Sequence, residues 1–216
     1  ALEQLLQMMD YRNLRAEQTR LRAAGVHRGI GLASFVENSN PSAATYGQGG
    51  VSIASQDSCT LKLTATGGVV AASSITECGQ GGYAVIQQVV AAVCGVPFAQ
   101  VKVVLGDTET TPVGGGVWGS RGTGICGEAA LQAGKALKAN ILAFVARLQE
   151  SEASLFDIRD GRVIQTQSGA EVMTLEAVAR TAYFRTDQVP QDFQPELTVT
   201  RSYAQKTYNG AYTNGI

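Results

Sequence analysis

The stretch SSITECGQGGYAVIQQVVAAVCG, residues 73–95, runs from a β-like segment through a glycine-rich turn into a helical pattern. Apolar residues recur at helical spacing over 82–94, and Gly95 is well placed to end that helix. Within the turn, GQGGYA (79–84) fits the G-x-G-x-x-G/A pattern of dinucleotide sites. The pattern predicts a strand, a tight turn and a helix whose first amides face a phosphate-bearing ligand. The alternative is that the glycines serve only the turn and close packing.

The segments on either side predict hairpins mixed with helices. TLKLTAT and VVAASSIT flank Gly67-Gly68, and SLFDI and RVIQT flank the turn at Arg159–Arg162, so each pair predicts a β-hairpin. Further strands are predicted at VKVVL (101–105), ELTVTRSY (196–203) and, as a buried strand, RGIGLASFV (28–36). Helices are predicted in residues 1–24, over 82–94, over 127–149 and after a Thr174 cap, with Asp10 capping the second N-terminal helix and Gly25 ending it. Residues 37–50 and 106–126 are predicted loops. This order predicts an α+β fold of antiparallel hairpins with packed helices.

Composition narrows the classes of function. The chain has 216 residues, 25 glycines, 16% charged residues and a net charge of −1. The near-neutral charge gives no footprint for nucleic acid or an anionic membrane, and no apolar run reaches the roughly 18 residues of a transmembrane helix. Since no export signal is visible, we expect a cytoplasmic protein. The four cysteines lack C-x-x-C spacing and there is one histidine, so we expect no protein-ligated metal site.

A second glycine-rich loop also leads into a helix. Gly119, Ser120, Arg121, Gly122 and Thr123 precede the helix predicted at 127–149. Helix starts offer unpaired N–H groups, hydroxyls add donors, and an arginine offers a fork for an anion. The two loops together could clamp a pyrophosphate from two sides.

The pattern alone suggests NAD, but the architecture argues against it. A Rossmann unit needs an acidic residue ~20 residues beyond the glycines, and Asp107 lies 26 residues after Gly81. The strands before the motif are predicted to form hairpins, and no βαβαβ repeat is visible. A P-loop is absent as well, because Gly114–Gly119 continues with Ser-Arg.

Four ordered segments carry a resemblance to a known family: RGIGLASFVE (28–37), ITECGQGGYAVIQQVVAAVCGVP (75–97), VKVVLGDTETTP (101–112) and WGSRGTGICGEAALQAGKAL (118–137). They resemble the molybdopterin-binding large subunit of the xanthine dehydrogenase, aldehyde oxidase and carbon monoxide dehydrogenase family of molybdenum hydroxylases. The resemblance spans nearly the whole chain and is specific to the family rather than to a substrate.

The resemblance implies an oxidoreductase that hydroxylates an aldehyde, an N-heterocycle or a related carbon with water as the oxygen source. It implies molybdopterin with molybdenum, in the cytosine dinucleotide form. Gly79, Gln80 and Gly81 match the family's segment at the pterin and molybdenum, and Gly119–Thr123 matches its pterin and phosphate turn. Trp118 is a candidate for packing on the cofactor, or a core tryptophan.

The chain also departs from the family pattern. Many relatives have G-Q-G-H where this chain has Gly82, and the second turn reads S-R-G-T rather than S-R-S-T. The family's catalytic glutamate has no match, so we expect no catalytic residue here, a fragment of the large subunit, and an isolated chain without activity.

The implied organisation is a partial cofactor-binding domain over 1–216. It has leading helices at 1–25, a main cofactor-binding part at 26–150, and a hairpin, short helix and strand at 151–216. The implied partners are the rest of the large subunit, an iron–sulfur subunit and a flavin subunit with FAD, with a small-molecule substrate. An NAD-binding dehydrogenase module and a non-catalytic scaffold remain the alternatives.

Overall fold

A computed structural model describes residues 1–47, 50–207 and 212–215. The chain divides into two compact units, Ala1–Ser39 with Gly210–Ile216, and Asn40–Asn209. The described part contains six α-helices: α1 (Leu2–Met8), α2 (Tyr11–Ala23), α3 (Ala43–Gly47), α4 (Gly82–Cys94), α5 (Gly127–Leu148) and α6 (Leu175–Phe184). It contains nine strands: β1 (Phe35–Asn38), β2 (Gln56–Leu63), β3 (Val69–Ser73), β4 (Val101–Leu105), β5 (Phe156–Arg159), β6 (Arg162–Gln165), β7 (Glu171–Thr174), β8 (Thr198–Ala204) and β9 (Tyr212–Gly215).

The smaller unit holds α1, α2 and the antiparallel pair β1–β9. Asp10 precedes α2 as predicted, but its carboxylate accepts a hydrogen bond from the Asn13 side chain rather than from a helix amide. The buried strand predicted over 28–36 is wrong. Regular pairing begins only at Phe35, and Phe35 and Val36 are exposed. Within the described residues, only Phe35–Asn38 of this region has a partner strand, and backbone without a partner forms no sheet.

The larger unit is built on a four-stranded sheet in the order β4-β3-β2-β8. The hairpin predicted across Gly67-Gly68 is confirmed as the antiparallel pair β2–β3. Gly67 has φ +81°, and a Cβ there would lie 2.6 Å from the Glu176 nitrogen, so only glycine suits this turn. Strand β8 pairs antiparallel with β2. Strands β3 and β4 are parallel and joined by α4, a crossover that the hairpin pattern did not predict.

Helices α4 and α5 supply much of the core beside this sheet. Ile86 and Val90 of α4 and Leu137 and Phe144 of α5 are buried, and they join the inward residues of β2 and β3 in one cluster. A Cβ on Gly134 would overlap the Val93 side chain, so glycine here allows the two helices to approach closely. The predictions for both helices are confirmed within one residue.

A three-stranded sheet, β5-β6-β7, continues the larger unit. The predicted hairpin between β5 and β6 is confirmed, and Asp160 and Gly161 both have positive φ in its two-residue turn. The Thr174 cap on α6 is also confirmed, since its hydroxyl accepts from the Ala177 amide at 3.1 Å. Two predicted loops contain helical turns: α3 lies within 37–50, and a π-helical turn occupies Gly122–Cys126. In the second case the helical hydrogen bonding of α5 extends upstream of the position that the sequence predicted.

Both predicted ligand loops leave the same region of the four-stranded sheet. Because β3 and β4 are parallel, their carboxyl ends share one edge, and the antiparallel β2 begins there. The first loop (74–81) follows β3, and the second loop (106–123), whose last residues enter the helical turn before α5, follows β4. Ligands of sheets with parallel strands commonly bind outside the carboxyl ends of those strands.

Candidate functional site

A crevice of about 210 Å³ opens at this edge, between the two loops. Its lining includes the hydroxyl-bearing residues Ser74, Thr76, Thr108 and Thr111. Backbone of Gly106 and Gly114 completes part of the wall. Pro112 and Val113 also line it, so the recess between the two loops combines hydroxyl groups with apolar surface.

The first loop is folded around the carboxylate of Glu77. One oxygen accepts from the amides of Gly79 (2.7 Å) and Gly81 (3.0 Å), and the other accepts from the amide of Tyr83 (3.2 Å). These hydrogen bonds, that from Gly81 foremost, hold the pKa of Glu77 below its ordinary value. The amides at the start of α4 thus already hold an internal anion. Nothing in the local sequence pattern predicts this role for Glu77.

Gln80 is exposed at the tip of this loop. Its amide oxygen accepts from the Cys78 amide at 2.6 Å, and its amide nitrogen donates to the Thr76 carbonyl at 2.7 Å. The side chain is therefore held in one orientation by the loop that carries it. A side-chain amide at this position offers both a donor and an acceptor to a heteroatom-rich ligand.

The second loop is anchored by a buried ion pair that the sequence did not reveal. Arg121 Nη2 lies 2.9 Å from Asp57 Oδ2, Nε donates to the same oxygen at 3.0 Å, and both side chains are fully buried. Nη1 of Arg121 donates to the Ala54 carbonyl at 2.9 Å and to the Tyr46 hydroxyl. The Arg121 guanidinium, which was predicted to bind an anionic group of the ligand, instead binds the Asp57 carboxylate.

Asp57 also binds the two loops to each other. Its Oδ1 accepts from the Ser74 hydroxyl at 3.1 Å and from the Gly115 amide at 3.0 Å. A Cβ on Gly114 would overlap Ser74, and a Cβ on Gly115 would overlap Arg121 and the Ala54 carbonyl. These glycines are needed for close packing around the ion pair. The only sequence signal for Asp57 is that it is the one carboxylate in β2.

The remaining predicted residues form the exposed turn beyond this anchor. Gly119 and Ser120 have φ of +63° and +47°, and Ser120 and Thr123 are exposed. The Ile125 amide donates to the Arg121 carbonyl at 2.8 Å, so the helical turn starts directly after Arg121. The first-turn amides therefore belong to Gly122, Thr123 and the residue after them.

The turn is braced from its other side by Asn40. The backbone amide of Asn40 donates to the Gly119 carbonyl at 3.1 Å, and a Cβ on Gly124 would overlap the Asn40 side chain. Within the described residues, the buried Asn40 Oδ1 has no hydrogen-bond partner. The turn is thus attached to the buried Asp57–Arg121 ion pair, while its residues Ser120 and Thr123 are exposed.

The four cysteines differ in burial. In the described part of the chain, no group of three or more His, Cys, Asp or Glu side chains is placed to hold a metal ion. Cys59, Cys94 and Cys126 are buried, and Cys78 is exposed. Burial raises the pKa of Cys94 and of Cys126 to about 12 and raises that of Cys59 as well.

Comparison with known proteins decides the family. A model of the molybdopterin cofactor-binding domain matches residues 4–216. The chain belongs to the molybdopterin cofactor-binding domain family of the molybdenum hydroxylase large subunits. It is 28% identical to the nicotine 6-hydroxylase large subunit of Paenarthrobacter nicotinovorans, over 99% of this chain and 26% of that protein. It is 30% identical to the carbon monoxide dehydrogenase large chain of Hydrogenophaga pseudoflava, over 94% of this chain and 25% of that protein.

Solved structures agree with this family. The fold matches quinoline 2-oxidoreductase from Pseudomonas putida 86 with a TM-score of 0.72 and 28% identity, over 99% of this chain and 27% of that one. The chain spans about a quarter of the length of these relatives. The mixed helix and sheet fold, predicted as part of a molybdopterin-binding domain, is confirmed.

The NAD alternative is not favoured. The amides that would hold a pyrophosphate are bonded to Glu77. Asp107, which would bind a ribose, accepts instead from the Thr110 hydroxyl at 2.6 Å and from the Glu109 amide at 3.0 Å.

Among the described helices, none is long and apolar enough to cross a membrane.

Proposed function

We propose that this molybdopterin cofactor-binding domain works within the large subunit of a molybdenum hydroxylase that acts on an aldehyde, an N-heterocycle or a related carbon. The observation that carries this proposal is that the family match covers the two glycine-rich loops, which the fold brings to one sheet edge. When bound, the molybdenum cofactor supplies the two-electron oxidation and uses water as the source of oxygen. The residues of this chain bind and orient it.

The donor set in the two loops fits such a ligand. The Gln80 amide is exposed and fixed, and Ser120 and Thr123 present hydroxyls beside the backbone of Gly119 and Gly122. Glycine backbone and small hydroxyls suit a long, anionic, heteroatom-rich cofactor. We assign the cofactor contacts to Gly79, Gln80 and Gly81 in the first loop and to Gly119–Thr123 in the second.

Two of these contacts are refined by the geometry. The Arg121 side chain is buried against Asp57, so in this proposal Arg121 contributes by anchoring the turn, and its neighbours contact the cofactor. The amides leading into α4 donate to the Glu77 carboxylate, so the proposed contact of the first loop is through Gln80 rather than through a phosphate on those amides.

The wider assembly belongs to the same proposal. Relatives are named as large chains and as a complex subunit, which supports a multi-subunit enzyme. We propose the cytosine dinucleotide form of the cofactor, with iron–sulfur clusters and FAD on partner subunits, in the cytoplasm. The chain supplies no catalytic glutamate of the family type, so the isolated chain is expected to be inactive.

Elemental analysis of the native complex, purified through this chain from its own host, tests the proposal. We expect about one molybdenum per chain and release of cytidine monophosphate on acid hydrolysis. A complex that contains the rest of the large subunit and yet has no molybdenum would refute the proposed function.

A further inference from the structure

Trp118 is the single tryptophan of the chain and is placed at the surface of the second loop. The residue is 37% exposed. An exposed indole has a large apolar face that is available for contact. Its position is directly before Gly119 and Ser120, which belong to the proposed cofactor turn.

The indole is supported from below by a buried tyrosine. The rings of Trp118 and Tyr46 meet edge to face, with centroids 5.2 Å apart and an interplanar angle of 72°. Tyr46 is 5% exposed, and its hydroxyl accepts a hydrogen bond from Arg121. The Arg121 guanidinium carbon also lies 5.0 Å from the centre of the Tyr46 ring, within the range of a cation–π contact.

The contacts of Tyr46 with Arg121 extend to the sheet. The backbone is also bent on both sides of Trp118. Arg121 is held by Asp57 of β2, so the chain of contacts from the indole ends on a strand. Positive φ at Gly116, Gly119 and Ser120 bends the loop sharply before and after Trp118. Strained non-glycine conformations such as that of Ser120 persist where the surroundings over-determine them, often at ligand sites.

From this arrangement we propose that Trp118 is a stacking platform for a flat heteroaromatic ring. A rigid aromatic face costs little ordering entropy on binding, because its orientation is set in advance. The exposed Ser120 and Thr123 in the same loop suit a ring with polar edges rather than a hydrocarbon. The inference rests on the proposed function: the ring belongs either to the molybdenum cofactor or to a heteroaromatic substrate.

The test compares three variants of the native complex: Trp118→Ala, Trp118→Phe and Phe98→Ala. Phe98 is 48% exposed and precedes β4, at the opposite end of the strand from the loop, so its variant controls for loss of an exposed aromatic. Molybdenum content is measured by elemental analysis, and quinoline binding by equilibrium dialysis. Folding is checked for each variant by circular dichroism.

Two results support the platform and identify its ring. If Trp118→Ala loses most of its molybdenum, the ring belongs to the cofactor. If Trp118→Ala keeps molybdenum but binds quinoline about tenfold more weakly, or worse, the ring belongs to the substrate. In both cases Trp118→Phe should restore most of the loss.

Unchanged molybdenum and unchanged quinoline affinity in a folded Trp118→Ala complex would overturn the inference. A wild-type complex without molybdenum would instead refute the proposed function, and quinoline affinity would then still decide the role of Trp118.

Discussion

Asp57 and Arg121, 64 residues apart in the sequence, form a fully buried ion pair with 2.9 Å between Oδ2 and Nη2. The pair joins the first strand of the central hairpin to the turn proposed to hold the cofactor. Every other polar contact of Asp57 described above also reaches one of the two ligand loops. The pair therefore links the core of the fold to the geometry of the site.

Removing one partner of this buried pair should lower the free energy of unfolding substantially. Asp57→Asn leaves the Arg121 charge buried without its counterion, and such changes typically destabilise a protein by about 3–5 kcal/mol. Asp187→Asn removes a carboxylate from an exposed, solvent-screened pair with Arg185 and should lower the free energy of unfolding far less. Urea unfolding of both variants measures the difference. If the free energy of unfolding falls equally in the two variants, the buried pair does not stabilise the fold.

The double variant Asp57→Leu with Arg121→Met separates charge from packing. Replacing both members of a buried pair by apolar groups of similar volume is often close to neutral. We therefore expect the double variant to unfold at a higher urea concentration than Asp57→Asn. A double variant less stable than the single one would indicate that the contacts of Arg121 to Tyr46 and Ala54 dominate.

The glycines of the second loop should differ in their tolerance of alanine. A Cβ on Gly115 would overlap Arg121 and the Ala54 carbonyl, so Gly115→Ala should destabilise by about 1–3 kcal/mol. A Cβ on Gly122 meets only Val117 at 3.4 Å, so Gly122→Ala should change stability by less than about 1 kcal/mol. Thermal unfolding of the two variants gives the comparison, and a more harmful Gly122→Ala would contradict this packing.

The first loop should loosen in acid. The pKa of Glu77 is lowered in the fold, so its stabilising contribution is full above the ordinary glutamate pKa of about 4.3 and is lost as the pH falls through the folded value. Amide exchange protection of Gly79, Gly81 and Tyr83 should drop in that window. Glu77→Gln should have reduced protection that no longer depends on pH there. Protection that persists unchanged in both proteins at pH 3 would count against the role of Glu77.

Thiol labelling should distinguish one cysteine from three. Cys78 is exposed, whereas burial raises the pKa of the other three thiols and hides them from reagent. We expect iodoacetamide at neutral pH to modify one thiol in the folded chain and four after denaturation. A folded Cys78→Ser variant should take up no label, and rapid labelling of Cys126 would show that α5 opens at its start.

Local signals accounted for much of the fold and for the position of the site. Gly67-Gly68 marked a hairpin because its turn needs positive φ at Gly67, and Asp160-Gly161 marked another because its two-residue turn needs positive φ at both positions. The Asp57–Arg121 pair was not predictable, since charge pairing across 64 residues leaves no local pattern. The buried strand predicted over 28–36 is wrong because apolar content alone suggested it, whereas a strand also needs a partner strand. The parallel pairing of β3 with β4 likewise depends on tertiary packing.

Whether the first loop binds the cofactor is decided by comparing the molybdenum content of Gln80→Ala and Gln88→Ala complexes. Both residues are exposed glutamines, but Gln80 is at the tip of the first loop and Gln88 is on the helix that follows. We expect Gln80→Ala to lose bound molybdenum and Gln88→Ala to keep the wild-type content. Full molybdenum in the Gln80→Ala complex would contradict the assignment of this loop to the cofactor.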